Sequence, residues 1–269
     1  MISPLAQISP KAKIDSDVTI EAFAVIHENV EIGSGTVIMS HAVIMQGARI
    51  GKNCKIFPGA VISAIPQDLK FAGEDTTAEI GDNSIIREYC TINRGTKENW
   101  KTAIGKNCLI MAYVHIAHDC MIGNHVILSG YCGLAGHVDI EDYVIMEGYS
   151  AVQQFIKIGT HAFLAGGSKV RKNIPPYVKA AREPLSYIGV NTIGLTRRCF
   201  SAEIISQIEN IYRILYVKGV TLPTALKEIT ASVPDSLEKT HIIKFIQESE
   251  NGIMKGPVST KDTVAETKS

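Results

Sequence analysis

The sequence predicts a mainly β fold, a parallel β-helix followed by a small α-helical domain. Three observations carry this: aliphatic residues recur every six positions from Ile8 to Val170, Ile outnumbers Leu about three to one, and near Val178 the pattern gives way to helical spacing. Ile favours strands because its branched Cβ suits a pleated surface better than a helix. Composition excludes several other classes. With 27 Lys+Arg against 27 Asp+Glu, no net charge draws the chain to nucleic acid or to an anionic membrane surface. At 45% hydrophobic and 20% charged over 269 residues, it can bury a large core, which argues against disorder for most of its length. The opening MISPLAQISP lacks the basic and continuous apolar stretches of a signal peptide, and no run approaches the roughly 18 apolar residues of a membrane span. A soluble, cytoplasmic protein without membrane insertion is expected.

The repeat is the first element to justify. Stepping by six from Ile8 reaches an aliphatic residue or Met at 25 of 28 positions, ending at Val170. Four residues after each such position sits a small or β-branched one, as at Ala12, Val18, Ala24, Val30 and Thr36. Cys54, Cys90, Cys108, Cys120 and Cys132 fall in this slot, where a buried thiol packs as a small hydrophobe, so they read as structural rather than redox or metal-binding residues. Three residues after the aliphatic position, Asn or Gly keeps returning, as at Asn29, Gly35, Asn53, Gly59, Asn83 and Asn107. Both tolerate a positive φ. A left-handed corner in every hexad between apolar strips describes a triangular coil of three short strands, three hexads to the turn. Stacked about 4.8 Å apart, a little over eight such coils make a prism roughly 40 Å tall.

The three breaks in the ladder, Asp68, Glu74 and Glu98, fall in polar stretches that read as loops leaving the prism. The longer loop, at 63–79, sits where a segment leaving one coil can lie over a neighbouring subunit, and protruding loops on rigid scaffolds often bind substrate. The prism is expected over 1–178 and the helical domain over 179–254. Within the latter, Ser201 can cap a helix carrying Ile204, Ile208, Ile211 and Leu215; a second helix begins near Pro223, and a third carries Leu237, Ile242 and Ile246. The polar stretch 255–269 reads as a disordered tail.

Because residues three hexads apart lie one above another, the repeat is also a map of neighbours. His118, Gly136 and Gln154 form one column, Asp119, His137 and Phe155 the next, with His115 on the same coil as His118. His41, His125, His161, His137 and Asp119 occupy the corner slot, where His and Asp are favoured for backbone reasons alone. His115 and His118 do not. A zinc site of three histidines would place a His two coils beyond His118, where Gln154 stands, and no carboxylate cluster suggests another metal. No metal and no cofactor are expected. What remains is an imidazole base beside a bare Gly N–H, a pairing suited to acyl transfer because one takes a proton and the other steadies an oxyanion. Gly130, Gly148 and Gly166 also stack, giving a strip that either beds an alkyl chain or relieves crowding at a turn.

Hexads such as IGKNCK, IGKNCL and IGNHVI resemble the hexapeptide-repeat transferases, whose coils wind left-handed and whose members are typically homotrimers. With QDLKFAGE, HIAHD, LAGH, QQF and GVNTIGLTRR, the chain from about Ile8 to Gly252 resembles the acyltransferases that move a 3-hydroxyacyl chain from acyl carrier protein to the 3-hydroxyl of UDP-N-acetylglucosamine, the first step of lipid A synthesis in Gram-negative bacteria. The resemblance implies a left-handed parallel β-helix with a small C-terminal α-helical domain. It implies His118 as general base, Asp119 as its orienting acid and the Gly136 N–H as oxyanion donor. His115, His137 and Gln154 match sugar-nucleotide contacts. Gln67, Asp68 and Lys70 match the loop touching donor and acceptor, Asn191, Arg197 and Arg198 match nucleotide contacts, and Gly166 matches the position that limits acyl length. Two departures stand out: Gln153 replaces an expected His and Ile193 an expected Glu. Acyl carrier protein is acidic, so Arg171, Lys172, Lys179 and Arg213 are candidates for docking it.

Two alternatives compete with this reading. A related N-acyltransferase acting on a sugar amine usually carries a uridine-binding domain ahead of the prism, and here the repeat begins at Ile8. A 3-amino-sugar nucleotide acceptor belongs to the same alternative. A purely structural β-helix would not need His118, Gly136 and Gln154 in one column.

Overall fold

The structure, a computed structural model, describes residues 1–256. Among the described residues short strands build three sheets, the faces of a triangular prism, with nine, eight and ten strands, all parallel but for one antiparallel strand at the end of the third. The first face opens with Gln7–Ile8, the second with Lys13–Ile14 and the third with Thr19–Ile20. The chain returns to the first face at Val25–Ile26, where Ile26 pairs with Ile8, three hexads earlier. The ladder points inward: Ile38, Ile44, Ile56, Ile62, Ile86, Ile110 and Ile116 are all 0% exposed. Shortening any one to Val should cost about 0.5–1.5 kcal/mol.

Two excursions interrupt the coil, both between the first face and the second. Ile62 pairs with Ile92, five hexads on rather than three, so the first excursion adds two hexads. Ile92 pairs with Ile116, four hexads on, so the second adds one. Beyond them the spacing returns to three hexads, with Ile116 on Leu134 and Leu134 on Val152.

The five expected cysteines are buried free thiols. Burial pushes Cys120 up to about 12 and Cys90 up to about 11, which removes them from nucleophilic or redox work near neutrality. At the corners Asn29, Asn53 and His125 have φ of 54°, 54° and 57°. The same slot also holds aromatic residues, which the spacing alone did not suggest: Tyr89, Tyr113, Tyr131, Tyr143, Tyr149 and Phe155 have φ between 55° and 62°. An L-residue in this region costs about 1–2 kcal/mol. Stacking offsets it, since the Tyr113 ring lies 5.2 Å from Tyr89 and 4.9 Å from Tyr131, within 11° and 7° of parallel.

The domain placed at 179–254 opens with a hairpin rather than a helix. Val178–Ala181 still extends the third face, and Ser186–Val190 turns back antiparallel beside it. Four helices follow among the described residues: α1 Thr192–Arg197, α2 Ala202–Tyr216, α3 Leu222–Ser232 and α4 Leu237–Gln247. The last three are those the spacing predicts. Ser201 caps α2 by accepting the Ile204 N–H at 3.2 Å, and the buried Tyr212 donates to the Pro176 carbonyl at 2.6 Å, fastening α2 to the end of the prism. The tail expected from Lys255 is tied down where it starts, since Tyr187 N–H donates to the Lys255 carbonyl at 3.0 Å. Residues 257–269, the rest of that tail, lie outside the described residues.

Candidate active site

His118 and Asp119 turn the corner from the first face, left at His115–Ile116, to the second, entered at Met121–Ile122. The left-handed φ of 60° at Asp119 turns its carboxylate back beside the preceding ring, a geometry the sequence could not supply. His118 Nδ1 lies 2.9 Å from Asp119 Oδ2. An ionised carboxylate only accepts, so Nδ1 carries the proton and Nε2 presents its lone pair. The carboxylate is itself held. Thr96 N–H donates to Oδ1 at 2.9 Å, Thr96 Oγ1 to Oδ2 at 2.6 Å and Asn99 N–H to Oδ1 at 3.3 Å. Burial, the largest influence on Asp119, pushes its pKa up. The bonds from Thr96 and His118 and the nearby His137 outweigh it, so the acid lies below its ordinary value.

Gly136 lies on the coil beyond, directly against the ring. A Cβ there would come within 2.5 Å of His118 Cε1 and 2.7 Å of Nε2, so only glycine lets the imidazole take this position. Among the described residues the Gly136 N–H has no protein acceptor. His137 packs edge-on to His118 at 5.1 Å and stacks on Phe155 at 4.6 Å. Its Nε2 lies 3.5 Å from Glu98 and 3.7 Å from Asp119. His115 bonds Thr91 Oγ1 through Nδ1 at 2.8 Å, and burial lowers its pKa, which keeps it neutral.

The longer excursion folds back over this corner. Gln67, Asp68, Leu69, Lys70 and Glu98 join His118, His137, Gln154 and Phe155 around one cleft of about 460 Å³. The loop expected to lie over a neighbouring subunit thus lies against His118 of its own chain. The reason is local: both excursions leave from the corner that carries His118, and the short one beneath supports the long one.

The remaining expected residues are elsewhere. Asn191, Arg197 and Arg198 sit at the second–third corner, where Arg198 lies 4.8 Å over the Tyr143 ring. Asn191 uses both polar ends of its side chain in the fold, accepting the Gly194 N–H at 3.2 Å and donating to the His161 carbonyl at 2.9 Å. Ile193 is 62% exposed on α1. Gly166 lies at the third–first corner, where its N–H meets Glu147 Oε2 at 3.0 Å. The basic docking candidates are partly engaged: Arg171 pairs with Glu183 at 3.1 Å and Lys172 donates to the Asn251 carbonyl at 2.9 Å.

Ligand atoms of His118, Asp119 and His137 lie within 4.8 Å of one another. The spacing would admit a cation, but Nδ1 of His118 and both carboxylate oxygens already have protein partners. Sequence reasoning missed Thr96, Asn99 and Glu98. All lie in the short excursion, where the three-hexad count fails.

A parallel coil of six-residue repeats bearing an oriented imidazole beside a free glycine amide defines a hexapeptide-repeat acyltransferase. Residues 29–64 and 101–136 match the bacterial transferase hexapeptide family, and residues 173–254 match the second domain of the UDP-N-acetylglucosamine O-acyltransferases. An acyl-[acyl-carrier-protein]–UDP-N-acetylglucosamine O-acyltransferase of Sulfurihydrogenibium sp. is 53% identical over 253 residues, covering 94% of this chain and 93% of that one. Its counterpart in Paracidovorax citrulli is 48% identical over 257 residues, covering 94% and 98%. The solved UDP-N-acetylglucosamine acyltransferase of Francisella novicida superposes with a TM-score of 0.92 at 39% identity, covering 96% of this chain and 95% of that one. The chain belongs to the UDP-N-acetylglucosamine O-acyltransferase family. Its fold is that family's left-handed β-helix with a small C-terminal helical part.

Proposed function

We infer that the chain, like the relatives named for acyl transfer from acyl carrier protein to an oxygen of UDP-N-acetylglucosamine, moves an acyl group between these substrates in the first step of lipid A synthesis, and that in this chain the group is a 3-hydroxyacyl chain and the acceptor the sugar's 3-hydroxyl. The observation that carries this is the His118–Asp119 pair, whose Nε2 faces the backbone of Gly136. Nε2 takes the proton of the sugar hydroxyl as that oxygen attacks the thioester carbonyl. The Gly136 N–H donates to the oxyanion of the tetrahedral intermediate. As the intermediate collapses, the imidazolium returns its proton to the leaving thiolate, so no acyl-enzyme forms and no metal or cofactor takes part. Asp119 holds the tautomer and offsets the charge that His118 gains.

Asp68 and Lys70 reach into the same cleft and are assigned to the donor and the sugar, with His137, Gln154 and Gln67 around them; His115, outside the cleft lining on the first-face strand that leads to His118, is assigned to the sugar nucleotide. Arg197 and Arg198 suit a diphosphate, because a guanidinium offers it paired donors. Asn191 serves them by capping α1. The exposed Ile193 leaves the nucleotide grip without the carboxylate expected there.

Base, arginines and glycine strip occupy three different corners of one prism, so a single chain cannot bring them to one substrate. A symmetric homotrimer would, by setting the second–third or third–first edge of one chain against the His118 corner of the next. The proposed substrates favour a cytoplasmic enzyme. Among the described residues no helix is long and apolar enough to cross a membrane.

The test is mass spectrometry of products from a panel of acyl carrier protein thioesters with UDP-N-acetylglucosamine and its 3-amino analogue, before and after chelator dialysis. Transfer to the hydroxyl sugar, undiminished by chelation, is expected. Transfer to the amine alone would move the chain to the amide-forming branch, and activity lost on chelation and restored by zinc would overturn the base assignment.

A further inference from the structure

The four residues Asn93, Arg94, Gly95 and Thr96 leave the first face at the catalytic corner and are all buried. At one end Thr96 holds Asp119 through its N–H and hydroxyl. At the other, the same segment grips the longer excursion at both of its exits. Asn93 Nδ2 donates to the Ile65 carbonyl at 3.0 Å and Arg94 N–H to the Ala64 carbonyl at 2.9 Å. Where the excursion returns, Thr76 Oγ1 donates to the Gly95 carbonyl at 2.6 Å and Gly95 N–H to the Thr77 carbonyl at 3.1 Å. A Cβ on Gly95 would meet the Lys101 backbone at 2.3 Å, so any larger residue there would force the segment or the returning strand out of place.

Arg94 reaches furthest. It is 8% exposed, donates from Nη1 to the Gln46 carbonyl at 3.3 Å, and sets its guanidinium 5.4 Å over the Phe71 ring. Among the described residues its Nε has no partner. A buried cation without a carboxylate is costly to keep, and the arrangement makes sense if the aromatic face is what the cation is there to hold. Phe71 follows Lys70 directly, and its N–H donates to the Asp68 carbonyl at 3.0 Å. Fixing Phe71 therefore fixes the backbone that carries Asp68 and Lys70 over His118.

We propose that Arg94 is a positioning residue, clamping the substrate-binding excursion through Phe71 while its own segment anchors Asp119, so that one buried tetrapeptide sets both the loop and the base. This rests on the functional reading above. Steady-state kinetics of the full chain with UDP-N-acetylglucosamine and one acyl carrier protein thioester test it. Arg94→Met should raise KM for the sugar nucleotide on the order of 10–100-fold with a smaller change in kcat, as expected when binding groups are misplaced. Arg94→Lys should not restore it, because an ammonium lacks the planar face that stacks on Phe71. Phe71→Leu should raise KM in the same way, and the double variant should be no worse than Arg94→Met alone. A wild-type KM in folded Phe71→Leu, or additive effects in the double variant, would overturn the clamp, and Phe71→Leu decides the matter even where Arg94→Met does not fold. An inactive wild-type chain across the whole donor panel would instead reject the functional reading.

Discussion

Asp119→Asn exchanges one carboxylate oxygen for an amide NH2 at nearly constant shape, and the structure says what each contact does next. The bonds from Thr96 N–H at 2.9 Å and Asn99 N–H at 3.3 Å fall on Oδ1 and can pass to the amide oxygen. Those from Thr96 Oγ1 at 2.6 Å and His118 Nδ1 at 2.9 Å fall on Oδ2, where the NH2 would stand. The hydroxyl can rotate and accept. The imidazole can accept only by moving its proton from Nδ1 to Nε2, and Nε2 is the atom that must take the proton of the sugar. A tautomer error of this kind costs up to about 10⁴-fold in rate. The stability cost is smaller, about 1.5–3 kcal/mol for weakening bonds to a buried charge. Initial rates with an acyl carrier protein thioester and a urea unfolding curve separate the two. His118→Ala should lose roughly 10²–10⁴-fold, and the double variant should fall little further, since the two residues act as one unit. Acid unfolding gives an independent reading. Because the folded Asp119 carboxyl lies below its ordinary value, its stabilisation is present above about pH 3.9 and is lost as pH falls through the folded value, a loss the amide variant lacks. A folded Asp119→Asn chain with wild-type rate would refute the tautomer argument.

Subunit complementation should distinguish the corners: mixing Asp68→Ala with His118→Ala chains should give no rescue, because both residues line one chain's cleft, whereas Arg198→Ala with His118→Ala should recover activity after subunit exchange. No recovery in the second pair would place the arginines outside the shared site. Gly166→Met should fold, since its new Cβ would meet only Gly148 O at 3.4 Å and Glu147 at 3.8 Å. It should shift the donor optimum to shorter chains at about 0.8 kcal/mol per excluded CH2, and an unchanged chain-length profile would free the glycine strip from that role. Burial, helped by Arg198, lowers His161 to about 4, so the protein should lose on the order of 3 kcal/mol as pH falls from about 6.5 through that value. Urea unfolding of His161→Phe, which keeps a ring in the stack, should show a clearly smaller loss over that window, to which the lowered His115 also contributes, and an undiminished loss there would assign the effect to another group.

The prism was legible because its period is strict: one count of six gives strands, interior and corners. The pairing of His118 with Gly136 followed, since no excursion separates them. Thr96 and Arg94 were not legible for the opposite reason. The short excursion breaks the three-hexad count between Ile92 and Ile116, and an arginine on an aromatic ring leaves no spacing signature. Helix α1 escaped because it is too short to show a period, and the capping role of Asn191 was hidden with it. The aromatic corners obey the six-residue phase, yet a preference for Asn and Gly conceals them, because it describes one corner at a time and stacking is a property of two.

That last property gives unfolding a direction. A stacked corner ring is compensated only while the coil above or below is in place, so removing a coil exposes the next to strain as well as to water. Loss of order should therefore travel along the axis, one storey at a time, in the manner of a linear array whose units depend on their neighbours. The two ends do not start equal. Helix α2 plugs the far end through the buried Tyr212, while Ile8 and Ile14 at the near end stay partly exposed. The prism should fray from its first coil, which leaves the His118 corner, several storeys up, among the last parts to open.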